Sequence, residues 1–382
     1  MQVPVYLDYC STTPVDETVV QTMLPFFTKQ FGNAASSTHA YGWQAAEAVT
    51  VAREQLAALI HAEKEELLFT SGATESCNLA LRGVAEAYAS KGNHIITCAT
   101  EHKAVLDTCA ALSKKGIEIT VLPVDKNGLP DLELLQQSIR PTTLLIAMMY
   151  ANNETGVINP IEQTGAIAKQ NGVLFFCDAT QAVGKISVNV QTANIDLLAF
   201  SAHKLYGPKG CGALYVRRKN PRVVLKEQIS GGGHERGLRS GTLNVPGIVG
   251  FGKAGAIAAE VMTTEAARMQ QLRDRFETAI CAATGAIVNG GGPQRLPQVS
   301  NLCFPVPNGA SLLTALNRVM AVSAGSACTS AQPAPSHVLK AMGLTDAQIK
   351  SSVRFSFGRM TTEEELQFAI EQTIRIVQEQ MA

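Results

Sequence analysis

Between about residues 66 and 217 short apolar runs alternate with stretches whose apolar positions recur every three to four residues. Glu66–Thr70 precedes a helical pattern over Ala73–Ser90, and His94–Ala99 precedes Ala104–Lys115. Ile117–Leu122 is followed by Asp131–Ile139, and Leu144–Tyr150 by Ile161–Gln170. Val173–Cys177 runs into Asp178, and Asp196–Ser201 into His203 and Lys204. Nearly continuous apolar strands between helices predict an α/β fold: a mostly parallel central sheet covered by helices. Ligands of such sheets bind beyond the carboxyl ends of the strands, and that is where the chemically notable residues fall.

The pattern changes after about residue 250. A helix-compatible stretch over Val249–Thr284 leads to Gly290–Gly292, a strand over Val299–Pro305 and a helix over Ala310–Arg318. A small-residue segment, a strand over Ser352–Phe357 and a terminal helix follow, the last opened by the capping box Thr362-x-x-Glu365. We expect a large domain over 16–250 and a smaller α+β domain made of 1–15 and 251–382. A chain of 382 residues has room for both, and no internal repeat is visible.

Composition narrows the function classes. Apolar residues make up 46% and charged residues 17%, enough apolar surface for a large core. Thirty-two basic residues balance thirty-two acidic ones, and there is one Trp, which argues against a chain-wide grip on nucleic acid. Nine cysteines, at 10, 77, 98, 109, 177, 211, 281, 303 and 328, include no C-x-x-C. A disulfide scaffold and a zinc finger are disfavoured, no metal site is expected, and free thiols suit a reducing compartment. The polar start over Met1–Pro14 lacks the pattern of a signal or transit peptide. The longest apolar runs, such as Leu144–Met149, have strand length, so no membrane association is expected and a cytoplasmic protein is.

Five constellations carry chemistry. Phe69–Glu75 (FTSGATE) runs from a strand through a glycine turn into a helix, and is either an ordinary cap or an anion site at a helix N-terminus. In Cys177–Gln181 (CDATQ) a carboxylate ends an apolar strand. Asp178 either caps the next helix or meets a cationic partner such as a protonated cofactor ring. Phe200–Gly210 (FSAHKLYGPKG) ends a strand with His203 and Lys204, and a lysine at such a buried turn can act as an amine nucleophile or Schiff-base former. Ser230–Thr242 (SGGGHERGLRSGT) is either a mobile linker or a source of Arg239, Ser240 and Thr242 for a phosphate. Ser323–Ser330 (SAGSACTS) sets Cys328 among small residues, which makes it the leading reactive thiol; the other eight cysteines read mostly as core fillers.

Together these motifs resemble the fold-type I pyridoxal-phosphate enzymes, and within them the class V aminotransferase-like cysteine desulfurases of the NifS/IscS type. TSGATE, TEHKAV, NNETG, DATQAVG, SAHKLYGPKG, GGGHERGLRSGT and GSACTS occur in family order, and the resemblance runs from Tyr6–Tyr9 to Arg354–Gly358. It implies pyridoxal 5'-phosphate as cofactor, bound covalently to Lys204, with Asp178 on its pyridinium nitrogen and Gln181 on its phenolic oxygen. It implies that His102 stacks on the ring and moves protons. Ala73, Thr74, Ser201 and His203 would hold the phosphate, with Thr242 supplied by the partner subunit of a homodimer. Asn153 would contact the cofactor and, with Arg354, bind the substrate carboxylate, with help from Asn33, and Cys328 would accept the sulfur.

The implied reaction takes sulfur from L-cysteine, leaving L-alanine and a persulfide on Cys328. A sulfur-acceptor protein, a scaffold or a sulfurtransferase, would collect it for iron–sulfur cluster, thio-cofactor or tRNA thiolation pathways. Selenocysteine lyase and a non-catalytic partner of a desulfurase are the competing readings on the same fold. An aminotransferase would have no use for Cys328, and a non-catalytic partner no need to keep Lys204, Asp178 and Cys328 together. Many relatives carry a longer tail that helps dock a scaffold. This chain ends at Ala382, just after the last predicted helix, which leaves the acceptor open. Thr155 stands in NNETG where an apolar residue is common.

Overall fold

The computed structural model describes residues 3–292, 294–324 and 335–381. Its central sheet has seven strands in the spatial order Leu67–Thr70, Gly212–Val216, Leu197–Ser201, Leu174–Asp178, Thr143–Ala147, His94–Cys98 and Glu118–Leu122. Gly212–Val216 is antiparallel to both neighbours, and the remaining pairs are parallel. Alternate residues face opposite sides, as a pleated strand requires. Ile146, Phe175, Cys177, Leu198 and Phe200 enter the core under one face. Leu145, Ala147, Phe176, Leu197 and Ala199 enter the core under the other. Glu118–Leu122 is one edge, and only its last residue is buried.

Among the described residues, five α-helices lie where the hydrophobic pattern predicted none: Glu17–Met23, Ala40–Leu59, and the short Pro25–Thr28, His337–Ala341 and Asp346–Lys350. The second buries Gly42, Ala45, Val49, Ala52 and Leu56, a face built mostly of small residues and so faint as an apolar signal. Small residues there serve close approach to the long helix Val245–Thr284. A Cβ added at Gly252 would sit 2.5 Å from the Ala52 Cα, and one at Gly255 would sit 2.6 Å from a Leu56 methyl. The antiparallel strand Gly212–Val216 also escaped the pattern, because it follows a glycine- and proline-rich loop.

The long helix begins four residues before the expected Val249. The Asn244 side chain caps the Gly247 N–H, and the helix ends at Gly285 in the left-handed region (φ 71°). Contrary to the expectation that no stretch is long enough, this helix has the length and apolarity to cross a bilayer, with a window of mean hydropathy 1.3. More than half of that window is buried inside the protein, which fits a core helix. Its first half packs under the central sheet through Ile248, Phe251 and Ala254. Its second half enters a separate core through Met269, Leu272, Phe276 and Ile280.

That second core lies on an antiparallel sheet of Ser352–Ser356, Val299–Cys303 and Ile287–Val288. Val5–Tyr6 pairs in parallel with Met320–Ala321, so the N-terminus packs with residues more than three hundred positions away. The terminal helix Glu363–Met381 opens on a reciprocal pair: Glu365 N–H donates to Thr362 Oγ1 at 3.1 Å, and Thr362 N–H to Glu365 Oε2 at 2.8 Å. The Phe276 ring, fully buried, meets Phe355 at 4.8 Å and Phe357 at 5.5 Å between centroids. Phe276→Ala is therefore expected to cost about 3–5 kcal/mol of stability. Urea unfolding checks this, and an unchanged midpoint would show that this core does not limit stability.

Candidate active site

The parallel strands deliver their carboxyl ends to one edge of the sheet, and a cavity of about 560 Å³ opens there. Ala73, Thr74, His102, Asn153, Asp178, Gln181, Ser201, His203, Lys204 and Arg354 all line it. These ten residues come from six separate segments of the chain. Three other expected site residues stand apart. Asn33 is exposed, its Oδ1 accepting the Ala35 N–H at 2.9 Å, and does not line the cavity. Thr242 is exposed and outside the lining as well. Cys328 lies outside the described residues.

Each wall has a local cause. Gly72 precedes the helix Ala73–Ala87 without a side-chain cap, so the first-turn N–H groups keep their capacity for an anion. Gly72 has φ 158°, and a Cβ built on it would point into the space before Ser201 Oγ, 4.0 Å away. A Cβ on Gly212 would come within 2.5 Å of the Gly72 Cα, so that glycine lets the strand pass directly behind the turn. His102 begins the helix Lys103–Ser113, its Nδ1 accepting the Ala104 N–H at 3.1 Å, which leaves Nε2 to carry the proton of a neutral ring.

Asp178 is 5% exposed. Its Oδ1 accepts from the Thr180 N–H at 3.0 Å and the Thr180 hydroxyl at 2.5 Å. Lys204 sits in the short turn after Ser201, and its Nζ donates to the carbonyls of Cys10 and Ser11, both at 2.6 Å. Gln181 Nε2 donates to the same Cys10 carbonyl at 3.0 Å. The His203 ring lies 3.1 Å from the Thr12 hydroxyl. Arg354 is 1% exposed and donates to Asn153 O at 2.8 Å, Asp8 Oδ1 at 2.7 Å and Ser11 Oγ at 2.8 Å.

Several participants were not foreseen. Cys10, Ser11 and Thr12 line the cavity and hold the lysine, the glutamine and the histidine. Cys10 is as buried as a core cysteine, yet it faces the site. The only hint in the sequence was their position directly after Tyr6–Tyr9. The basic loop is tied within the chain: Arg239 is engaged by Glu75 through Nε at 2.8 Å and Nη2, and the Ser240 hydroxyl donates to the Gly231 carbonyl.

A donor set of a lysine, a strand-end carboxylate, a histidine and an uncapped helix N-terminus fits a phosphorylated pyridine aldehyde. The helix end and hydroxyls suit the phosphate, the carboxylate suits a protonated ring nitrogen, and the amine suits the aldehyde. The space between Gly72 and Ser201, which a larger side chain would enter, leaves the phosphate end open.

The family model of class-V aminotransferases matches residues 5–368. The chain belongs to that family. Within it, the chain is a cysteine desulfurase of the NifS/IscS type, a pyridoxal-phosphate enzyme. It is 52% identical over all 382 residues to cysteine desulfurase IscS of Anaeromyxobacter sp., covering 93% of that protein. It is 53% identical to cysteine desulfurase IscS of Neisseria meningitidis, covering 97% of this chain and 91% of that one. A solved NifS-like protein superposes with a TM-score of 0.91 at 37% identity, covering 98% of this chain and 99% of that chain. SspA, solved in complex with cysteine, superposes with a TM-score of 0.82 at 36% identity, covering 92% of this chain and 98% of that chain.

Burial, with Lys204 and Lys209 nearby, pushes the His203 imidazole down from 6.5 to about 4. The ring is therefore neutral in the folded protein at neutral pH. As pH falls below 6.5 the unfolded chain takes up this proton first, and the folded chain follows only near 4. Stability of the cofactor-free protein is expected to decline across that window, and His203→Gln to flatten the decline. Unfolding midpoints measured from pH 7 to 4 check this; parallel curves for the two proteins would contradict it.

Proposed function

We propose that the cavity residues carry out removal of sulfur from L-cysteine in the roles that the family resemblance assigns. The observation that carries the reading is the convergence of the Lys204 amine, the Asp178 carboxylate and the uncapped helix end at Gly72 on one cavity. Ala73, Thr74, Ser201 and His203 hold the phosphate of pyridoxal 5'-phosphate, Lys204 binds its aldehyde, Asp178 pairs with the ring nitrogen, Gln181 donates to the phenolic oxygen and His102 covers the ring. When bound, the cofactor supplies an electrophilic carbon and a ring that withdraws electrons from the substrate Cα.

The chain does the rest. Arg354 and Asn153 orient the substrate carboxylate. Lys204 takes the Cα proton and His102 moves protons within the site. Cys328, as thiolate, attacks the substrate sulfur; the Cβ–S bond breaks and an S–S bond forms, Cβ takes up the proton that Cys328 gave up, and the Cα proton is returned to complete L-alanine. The persulfide then passes to a scaffold or sulfurtransferase protein. The large domain spans 16–250 and the smaller one 1–15 with 251–382.

We read the active form as a homodimer in which Thr242 reaches the partner's phosphate. An apolar surface supports this: Phe27, Phe31, Tyr41 and Trp43 are each more than half exposed, and the Phe31 and Tyr41 rings lie 5.4 Å apart. A cytoplasmic, reducing setting suits a persulfide carrier, and the eight described cysteines are all free.

Cys328→Ser is expected to bind cofactor and cysteine normally but to form neither persulfide nor alanine, read by mass spectrometry and an alanine assay. Turnover at the unmodified rate would remove Cys328 from the mechanism. A parallel assay with selenocysteine separates a lyase from a desulfurase. Lys204→Ala is expected to abolish the absorbance band of covalently held cofactor and all turnover, and normal catalysis by that variant would refute the lysine's role.

A further inference from the structure

Glu154 belongs to the NNETG motif, but its carboxylate is not part of the cavity lining. It is 2% exposed, and its Oε2 accepts the hydroxyl proton of Ser336 at 2.5 Å. Ser336, itself 1% exposed, accepts in turn from the Leu339 N–H at 3.1 Å. The backbone of Glu154 is fixed as well, its N–H donating to Asn152 Oδ1 at 2.8 Å and its carbonyl accepting from Asn301 Nδ2 at 3.0 Å. One residue beyond Ser336, His337 Nε2 lies 2.9 Å from the carbonyl of Glu101, the residue before His102.

The segment that carries Cys328 joins the described chain after Ala324 and before Pro335. Its upstream junction is also tied to the site: Ser323 and Arg354 exchange two backbone hydrogen bonds, at 2.7 and 3.2 Å. Each junction is therefore bonded beside residues that line the cavity, Arg354 on one side, Asn153 and His102 on the other. A buried carboxylate is a costly way to hold a chain in place. Burial pushes the Glu154 acid up, against the nearby His337, Arg354 and His102. Its return is direction: a hydrogen bond fixes where the chain starts in a way apolar packing does not. Residues 328 and 336 are eight positions apart, and eight residues span at most about 29 Å when extended. Fixing Ser336 relative to Asn153 therefore bounds how far residue 328 can stand from the substrate site.

We propose that Glu154 is a positioning residue for sulfur abstraction: through Ser336 it fixes the downstream root of the Cys328 segment relative to Asn153. This rests on Cys328 being the sulfur acceptor. The test uses the cofactor-loaded enzyme and the variants Ser336→Ala, Glu154→Ala and Glu154→Gln, with Cys328→Ser alongside. Cysteine affinity is read from the absorbance change of the bound cofactor, persulfide formation from single-turnover mass spectrometry, and order at the root from hydrogen exchange of residues 336–344. Ser336→Ala and Glu154→Ala are expected to lose exchange protection there and to slow persulfide formation about tenfold, the scale of one lost charged hydrogen bond. Cysteine affinity should stay within about twofold, since no cavity-lining group is removed. Glu154→Gln, which keeps an acceptor oxygen, should recover most of the rate. Unchanged persulfide rates beside an inactive Cys328→Ser would overturn this proposal alone, as would a rate loss matched by an equal loss of affinity. Persulfide-independent turnover by Cys328→Ser would overturn the underlying reading and this proposal with it.

Discussion

A buried guanidinium organises the site. Arg354 is 1% exposed, and a charge at that depth is tolerated only with partners in good geometry. It finds them in three places: Asp8 and Ser11 on the N-terminal segment and the Asn153 carbonyl on the loop after a central strand. The same N-terminal segment gives the Cys10 and Ser11 carbonyls to Lys204 and the Cys10 carbonyl to Gln181. It is pinned at its other end by pairing with Met320–Ala321. One short strap thus registers the arginine from the small sheet against the lysine from the large one. Loss of Asp8 would leave a desolvated cation and loosen the strap at once.

Around that centre, polar groups are buried where they set backbone geometry. Glu101 is fully buried, and burial, with Asp178 nearby, pushes its acid well up. Its Oε1 accepts the Met149 N–H at 2.6 Å, bracing the turn that presents His102 against the neighbouring strand end. Arg53 and Glu235 pair through two bonds of 2.7 and 2.6 Å, and Glu235 also accepts the Phe69 N–H, tying the basic loop to the strand that leads into Gly72. The cavity's rigidity is a product of such ties more than of the cavity residues themselves.

The inner parallel strands were legible because both faces are buried, so their apolar runs are unbroken and end sharply where the chemistry begins. Asp178, His203 and Lys204 could be picked out for that reason: a charged residue directly after such a run needs an explanation. The helix Ala40–Leu59 was missed because its packing against Gly252 and Gly255 uses small residues, which leave little apolar contrast. Cys10 and Ser11 were missed for a different reason. Both reach Lys204 through carbonyl oxygens, which every residue carries, and Ser11 adds a hydroxyl for Arg354 that no surrounding motif marks. Glu154 was hidden likewise, since its partner Ser336 is 182 positions away.

The sequence by itself determined the kind of fold, the set of reactive side chains and their order, because these follow from local periodicity and from residue chemistry. Nearly all of those side chains needed only to stand at strand ends on one sheet edge to meet. The tertiary structure decided what holds them: which carbonyls face Lys204, which carboxylate neutralises Arg354, and that Arg239 is bound to Glu75. Those choices depend on contacts between distant segments, and the cost of burying charge without a partner selects among them only once the chain has closed.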